Sequence, residues 1–204
     1  MPALCPVGLD TSRLAGEVRA MYTRVADNPG GDYHFHRGPD YAVSVLGYGR
    51  ASLDSLPYGV TSRFAGVGNP LAIAPVLPGA RVVDVGCGGG TDLLLAARQV
   101  GPSGRVIGVD MTGEMLELVR AGAGRLYLTN VVAIEGDATS LPVESEWADV
   151  VISNGVLNLV PNKDRALAEM WRVLVPGGRM QFADILLREG LSEDERSDID
   201  LWTG

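Results

Sequence analysis

A doubly wound α/β sheet of mostly parallel strands is the fold this 204-residue sequence predicts. Three observations carry it. Short β-branched runs alternate with stretches of helical periodicity from residue 81 onward, the first run ends directly in glycines, and clear turn sequences separate the units. Strands alternating with helices at this spacing need right-handed crossovers, which cover both faces of a parallel sheet.

Residues 1–80 lie outside that alternation and read as a helical lid or cap segment laid over the sheet, with 81–204 as the core and the whole as one structural domain. Thr11 or Ser12 is placed to cap a helix carrying Leu14, Val18, Met21 and Val25. Beyond it, "NPGGDYHFHRG" and "LPYGV" are rich in turn residues. The core opens with "RVVDV" (81–85), a buried strand. A helix with Leu93, Ala96, Ala97 and Val100 on one face follows and stops at "GPSG" (101–104).

Strand "RVIGV" (105–109) precedes Asp110. The next helix starts near Thr112 and buries Met115, Leu116 and Val119. "VVAIE" (131–135) and "ADVVIS" (148–153) are the third and fourth strands. Asn162 caps a helix whose apolar face is Leu167, Met170, Trp171 and Leu174; "VPGG" (175–178) ends it, and "RMQFADIL" is the fifth strand. Near the end, "SEDE" (192–195) forms a capping box with Ser192 at the N-cap and Glu195 at N3, for a helix carrying Ile199 and Trp202.

Composition excludes several classes of function. Seventeen basic against twenty-five acidic residues give a net charge of −8 without a basic run, which argues against nucleic acid and against an anionic membrane surface. "MPALCPVGLD" has neither the charged start nor the apolar stretch of a signal peptide, and prolines interrupt "NPLAIAPVLPG". Two isolated cysteines, Cys5 and Cys87, indicate neither a disulfide framework nor a zinc site. The expected compartment is the cytoplasm.

The chemistry concentrates at "DVGCGGG" (84–90). A glycine turn between strand and helix lets backbone N–H groups close on a ligand at the positive end of the helix. The dinucleotide fingerprint needs G-x-G-x-x-G, but Thr91 stands where its third glycine would fall; Gly86, Gly88 and Gly90 make G-x-G-x-G instead. Asp110, 26 residues beyond Asp84, ends the second strand, where a carboxylate accepts both hydroxyls of a ribose. Asp137 follows the third strand, placed for an exocyclic amine. Three acids at three neighbouring strand ends disfavour a pyrophosphate and suit an adenosine that carries an amino group and a positive sulfur. That ligand is S-adenosylmethionine.

"VVDVGCGGG", "GRVIGVDMTGEML", "GDATSLPVE", "ADVVISNGVLNLVPNKDRALAEMWRVLVPGGR" and "FADI" resemble class I S-adenosylmethionine-dependent methyltransferases of Rossmann-like fold, and in particular the arsenite methyltransferase group. The likeness extends upstream through "LGYGRASLDSLPYGV" and "GVGNPLA". It implies that Asp84, Gly86, Cys87 and Gly88 line the methionine end of the cofactor and that Asp110 holds the ribose. It further implies that Met111 packs on the adenine, that Asp137 and Ala138 meet the adenine edge, that Asn154 lies beneath the methionine moiety and that Tyr22 closes over the cofactor.

Two departures from that group bear on the substrate. Where the family has a cysteine in "GCGNP" this chain has Val67, and where it has one in "ISNC" this chain has Gly155. Thiolate capture of trivalent arsenic is therefore not expected. The antiparallel hairpin that such enzymes add beside the fifth strand has no counterpart before Gly204. The fifth strand is then an exposed edge, open to a homodimer partner or marking a truncated chain.

The expected activity is methyl transfer to a small molecule. The catalytic candidates are His36, Asn158 and Tyr22; His34 and His36, at i, i+2 without further ligands, do not form a metal site. A non-catalytic S-adenosylmethionine-binding module that assembles through the open edge is the alternative, and a nicotinamide oxidoreductase the third reading.

Overall fold

The computed structural model describes residues 10–186. Five strands, β1 (Arg81–Val85), β2 (Arg105–Asp110), β3 (Val131–Glu135), β4 (Ala148–Asn154) and β5 (Leu174–Ala183), form one sheet in the order β3-β2-β1-β4-β5 with every pair parallel. The predicted fold class is the one observed. Strand order reverses at β1, so the crevice for a ligand opens at the C-terminal ends of β1 and β4.

The central strands are apolar on both faces because helices cover both. Val82, Val106 and Ile152 point to one side, against Leu93, Ala96 and Val100 of α5 (Thr91–Val100) and Leu116 and Val119 of α6 (Gly113–Arg125). Val83, Val85 and Val151 point to the other, against Ala166 and Met170 of α7 (Lys163–Arg172). Asp84 shares the Val82 face by strand alternation, which aims it at the start of α5.

The N-terminal part packs on the outside of α5 and α6. It comprises α1 (Thr11–Asp27), α2 (Gly38–Ser44), α3 (Arg50–Asp54) and α4 (Tyr58–Thr61). Tyr48, Leu53, Val60 and Phe64 cluster with Leu94, Leu95 and Ala123, and Val25 and Ala26 pack on Met115. Among the described residues no helix is long and apolar enough to cross a membrane.

Three local expectations are corrected. The cap of α1 is Asp10: its Oδ1 accepts from the Ser12 and Arg13 amides at 3.1 and 2.9 Å, and Thr11 and Ser12 are already helical. Trp171 is 70% exposed and does not join the buried face of α7. Leu174 and "VPGG" belong to β5. Ala148 pairs with Leu174 and Val150 with Arg179, so residues 175–178 bulge out of the ladder, with Gly177 at φ 84°. The capping box at Ser192 and Glu195, the helix of Ile199 and Trp202, Cys5 and the question of a hairpin after β5 all lie outside the described residues.

One ionic cluster ties the β3–β4 connection to α7. Glu169, with a side chain 7% exposed, accepts from Arg172 Nε at 2.8 Å, Arg172 Nη2 at 2.7 Å and the Leu141 amide at 2.9 Å. The hydrogen bonds from Arg172 hold its carboxyl below the ordinary 4.5. That stabilisation is complete above the ordinary value and is lost as pH falls through the lowered folded one. Glu169→Gln is expected to cost about 2–3 kcal/mol at neutral pH. In thermal unfolding scans the gap to wild type should close on acidification below the ordinary glutamate value.

Candidate active site

A cleft opens where the strand order reverses, and the glycine turn is its floor. Gly86, Gly88 and Gly90 have φ of 70°, 50° and 93°, left-handed conformations that side chains resist. The turn is pinned to β2 by the Gly86 and Cys87 amides, which donate to the Val109 carbonyl at 2.8 and 3.1 Å. A Cβ at Gly88 would meet nothing within 4 Å, so this face of the turn is open to the cleft. Gly86 is different: a Cβ there would collide with the Val156 side chain, so the opposite wall rests directly on the turn.

Carboxylates surround the floor. Asp84 is 2% exposed and its Oδ2 has no hydrogen-bond partner. Burial, then the charges of Asp92 and Asp110, push its carboxyl well above the ordinary range. Asp110 is fixed by backbone: Oδ2 accepts from the Gly88 amide at 2.8 Å and Oδ1 from the Thr112 amide at 2.9 Å. Each oxygen keeps a lone pair for a ligand. Burial raises Asp110 as well. Asp137 forms an Asx turn, with Oδ1 accepting from the Thr139 amide at 2.7 Å and hydroxyl at 2.6 Å.

Sequence reasoning missed a second polar group behind this one. Asp92, in the first turn of α5, is 6% exposed and accepts from the Tyr48 hydroxyl at 2.6 Å and Asn154 Nδ2 at 3.0 Å. Burial raises the Asp92 carboxyl, and burial together with Asp92 raises the Tyr48 hydroxyl. The Asn154 amide is fully engaged: its Oδ1 accepts from the Val67 and Gly68 amides at 2.8 and 3.1 Å, and its Nδ2 also reaches the Gly68 carbonyl at 2.9 Å. Asn154 thus fastens the 65–68 loop to the end of β4. An acid at a helix start is ordinary, so nothing local distinguished Asp92.

All nine residues expected at a cofactor converge on this cleft: Asp84, Gly86, Cys87 and Gly88 from the turn, Asp110 and Met111 after β2, Asp137 and Ala138 after β3, and Asn154 at the end of β4. Tyr22 joins them from α1, where burial and the Asp110 charge push its hydroxyl up to about 12. At neutral pH it is a hydrogen-bond donor and not a base. Cys87 is raised by burial and by the Asp110 and Asp84 carboxylates, so it stays a thiol. His36 and Asn158 do not line the cleft. His36 stacks on Tyr41 with ring centroids 5.1 Å apart, and the Asn158 amide is turned to Asp184. Among the described residues no group of three His, Cys, Asp or Glu side chains could hold a metal ion.

The donor set fits S-adenosylmethionine. A buried carboxylate oxygen without a partner awaits a donor or a positive charge, and an open glycine turn admits close approach of the ligand. The oriented Asp110 carboxylate suits vicinal hydroxyls.

Comparison with known proteins agrees. The family described as "Methyltransferase domain" matches residues 77–201. Arsenite methyltransferase of Halobacterium salinarum is 42% identical over 78% of this chain and 40% of its own length. The enzyme of that name from Mus musculus is 35% identical over 79% of this chain and 45% of its own. The crystal structure of an arsenic(III) S-adenosylmethionine methyltransferase from Chlamydomonas reinhardtii superposes with a TM-score of 0.66 at 40% identity, covering 72% of this chain and 52% of that one. The chain thus spans about half or less of the length of these relatives. By family and fold, the chain belongs to the methyltransferase domain family, as a class I S-adenosylmethionine-dependent member that resembles the arsenite methyltransferases.

Proposed function

We propose that the protein transfers a methyl group from S-adenosylmethionine to a small molecule in the cytoplasm, with residues 1–80 as a lid over the core of residues 81–204. The observation that carries this reading is the unpartnered, buried Asp84 carboxylate beside an open glycine turn. Bound there, S-adenosylmethionine supplies a methyl group already activated by its sulfonium. Asp110 accepts the ribose hydroxyls, Met111 packs on the adenine, and Asp137 with Ala138 meets the adenine edge. Asp84, Gly86, Cys87 and Gly88 hold the methionine end. Asn154 serves from beneath through the loop it fastens. Tyr22 closes the cleft from above, excluding water and keeping acceptor, methyl and sulfur in line.

The acceptor enters between α1 and the loops at 65–68 and 155–161, past Val18, Phe64 and Val156, which are apolar. A Cβ built on Gly155 lies 3.3 Å from Val67 Cγ1. The two positions that carry cysteines in the arsenite group are therefore neighbours, and here neither is a thiol. Trivalent arsenic has no thiolate pair there, and an apolar metabolite is the better-matched acceptor.

Calorimetric titration tests the donor: S-adenosylmethionine should bind and NAD should not, and the reverse result overturns the reading. Asp110→Ala removes two charge-assisted hydrogen bonds and should weaken binding by about a hundredfold or more. A panel of metabolites with arsenite included should give methylated product from an organic acceptor; rapid arsenite methylation would refute the argument from Val67 and Gly155.

Asp84→Asn separates stability from binding. Because burial raises the Asp84 carboxyl, the wild-type fold loses stability as pH rises from the ordinary carboxylate range through the raised value. The amide escapes that loss. Ligand-free Asp84→Asn should melt roughly 3–6 °C above wild type at pH ~8, with the gap shrinking toward pH ~4, while S-adenosylmethionine binding falls sharply. A variant that melts lower at every pH, or that binds normally, contradicts this assignment.

A further inference from the structure

The wall opposite the glycine turn is held by a residue outside the cleft. Residues 155–161 leave β4 through Gly155, at φ 71°, and make a single 3₁₀ turn (Leu157–Leu159) before α7. Gly155, Val156, Leu159, Val160 and Pro161 face the cleft, and Val156 rests on Gly86. A 3₁₀ turn leaves its first amides without partners inside the turn, and no side chain of its own segment caps it.

Asp184, just after β5, supplies those partners. Its Oδ2 accepts from the Leu157 amide at 2.8 Å, and its Oδ1 from the Asn158 amide at 3.0 Å and its neighbour Ile185 at 2.7 Å. The Asn158 side-chain nitrogen adds a bond to the same Oδ1 at 3.1 Å and reaches back to the Gly155 carbonyl at 3.3 Å. At the other end of the turn, Lys163 Nζ donates to the Val160 carbonyl at 2.9 Å. An anion at the amide end and a cation at the carbonyl end hold this turn as they hold the two ends of a longer helix. The Gly155 amide, donating to the Ala183 carbonyl at 2.9 Å, links the same two segments through backbone.

We propose that Asp184 is a positioning residue: it suspends the 155–161 wall from the end of β5 and so sets how closely Val156, Leu159 and Val160 approach the ligand on the glycine turn. Asn158, which touches Asp184 and not the cleft, is the auxiliary of this clamp. The assignment rests on the reading of the cleft as an S-adenosylmethionine site, and it acts on affinity through geometry alone. Asp184→Asn keeps the shape but replaces one acceptor oxygen with an N–H donor that must oppose a backbone amide.

The test combines S-adenosylhomocysteine titration with amide hydrogen exchange in the ligand-free protein. In Asp184→Asn, exchange at Leu157 and Asn158 should accelerate and the dissociation constant should rise, each by about tenfold or more. Asp149→Asn is the comparator, since it breaks the exposed pair with Arg81 at the far end of β4. It should lower thermal stability and leave the dissociation constant unchanged. Should Asp184→Asn not fold, Asn158→Ala removes one arm of the clamp and should raise the constant by about threefold. Wild-type affinity and exchange in the folded Asp184 variant overturn the proposal, as does an equal affinity loss in Asp149→Asn. Failure of the wild type to bind S-adenosylhomocysteine refutes the cofactor reading instead, and the exchange comparison still decides whether the clamp exists.

Discussion

Asp84 is buried in the middle strand of the sheet, and one of its carboxylate oxygens has no partner there. An ion in that position costs several kcal/mol of desolvation, at roughly the scale of a small domain's whole stability. The surrounding fold is arranged around that cost. Helices cover β1 on both faces, and the Asp84 carboxylate lines the cleft beside the glycine turn. Asp92 and Asp110 add negative charge instead of relieving it. Burial and the neighbouring acids hold the Asp84 carboxyl well above its ordinary range, and a nearby positive charge would favour its ionised form.

The three carboxylates are nevertheless not equivalent. Asp110 is held in a fixed orientation by one backbone amide on each oxygen, which leaves acceptor capacity on both. Asp92, which also lines the cleft, is satisfied by Tyr48 and Asn154 and so joins the N-terminal segment to the end of β4. Asp84 alone lacks a side-chain or backbone donor for its Oδ2. One acid is fixed by backbone, one is paired with side chains and one keeps an unpartnered oxygen, and this division follows from which donors lie within reach of each.

Much of the architecture was legible because it is written locally. The β-branched runs at 81–85 and 131–135 coincide with β1 and β3, and the second and fourth strands run one residue beyond the expected ends. β5 was misread because "VPGG" has turn composition, whereas here the glycines let the strand bulge and resume pairing. The strand-end acids and the glycine turn that meet in the cleft were legible too, since each is set by its place in a strand–turn–helix unit. Tyr48, Asp92 and the amide of Asn154 were not. Their partners lie 44 to 106 residues away, and no pattern within a window of sequence records such a contact. Val67 and Gly155 became neighbours for the same reason, through a loop that only the assembled sheet brings to β4.

The tie between Asn154 and the Val67 and Gly68 amides also orders events in time. The two ends are 86 and 87 residues apart, so closing that loop costs chain entropy that is recovered only once β4 has paired with β1. A chain that has completed β1, α5 and β2 already owns the glycine turn and Asp110, yet it has no acceptor for those amides and no wall at 65–68. Competence to enclose a ligand is therefore a late acquisition in folding. A nascent chain that has not yet released β4 carries the floor of the site without its walls.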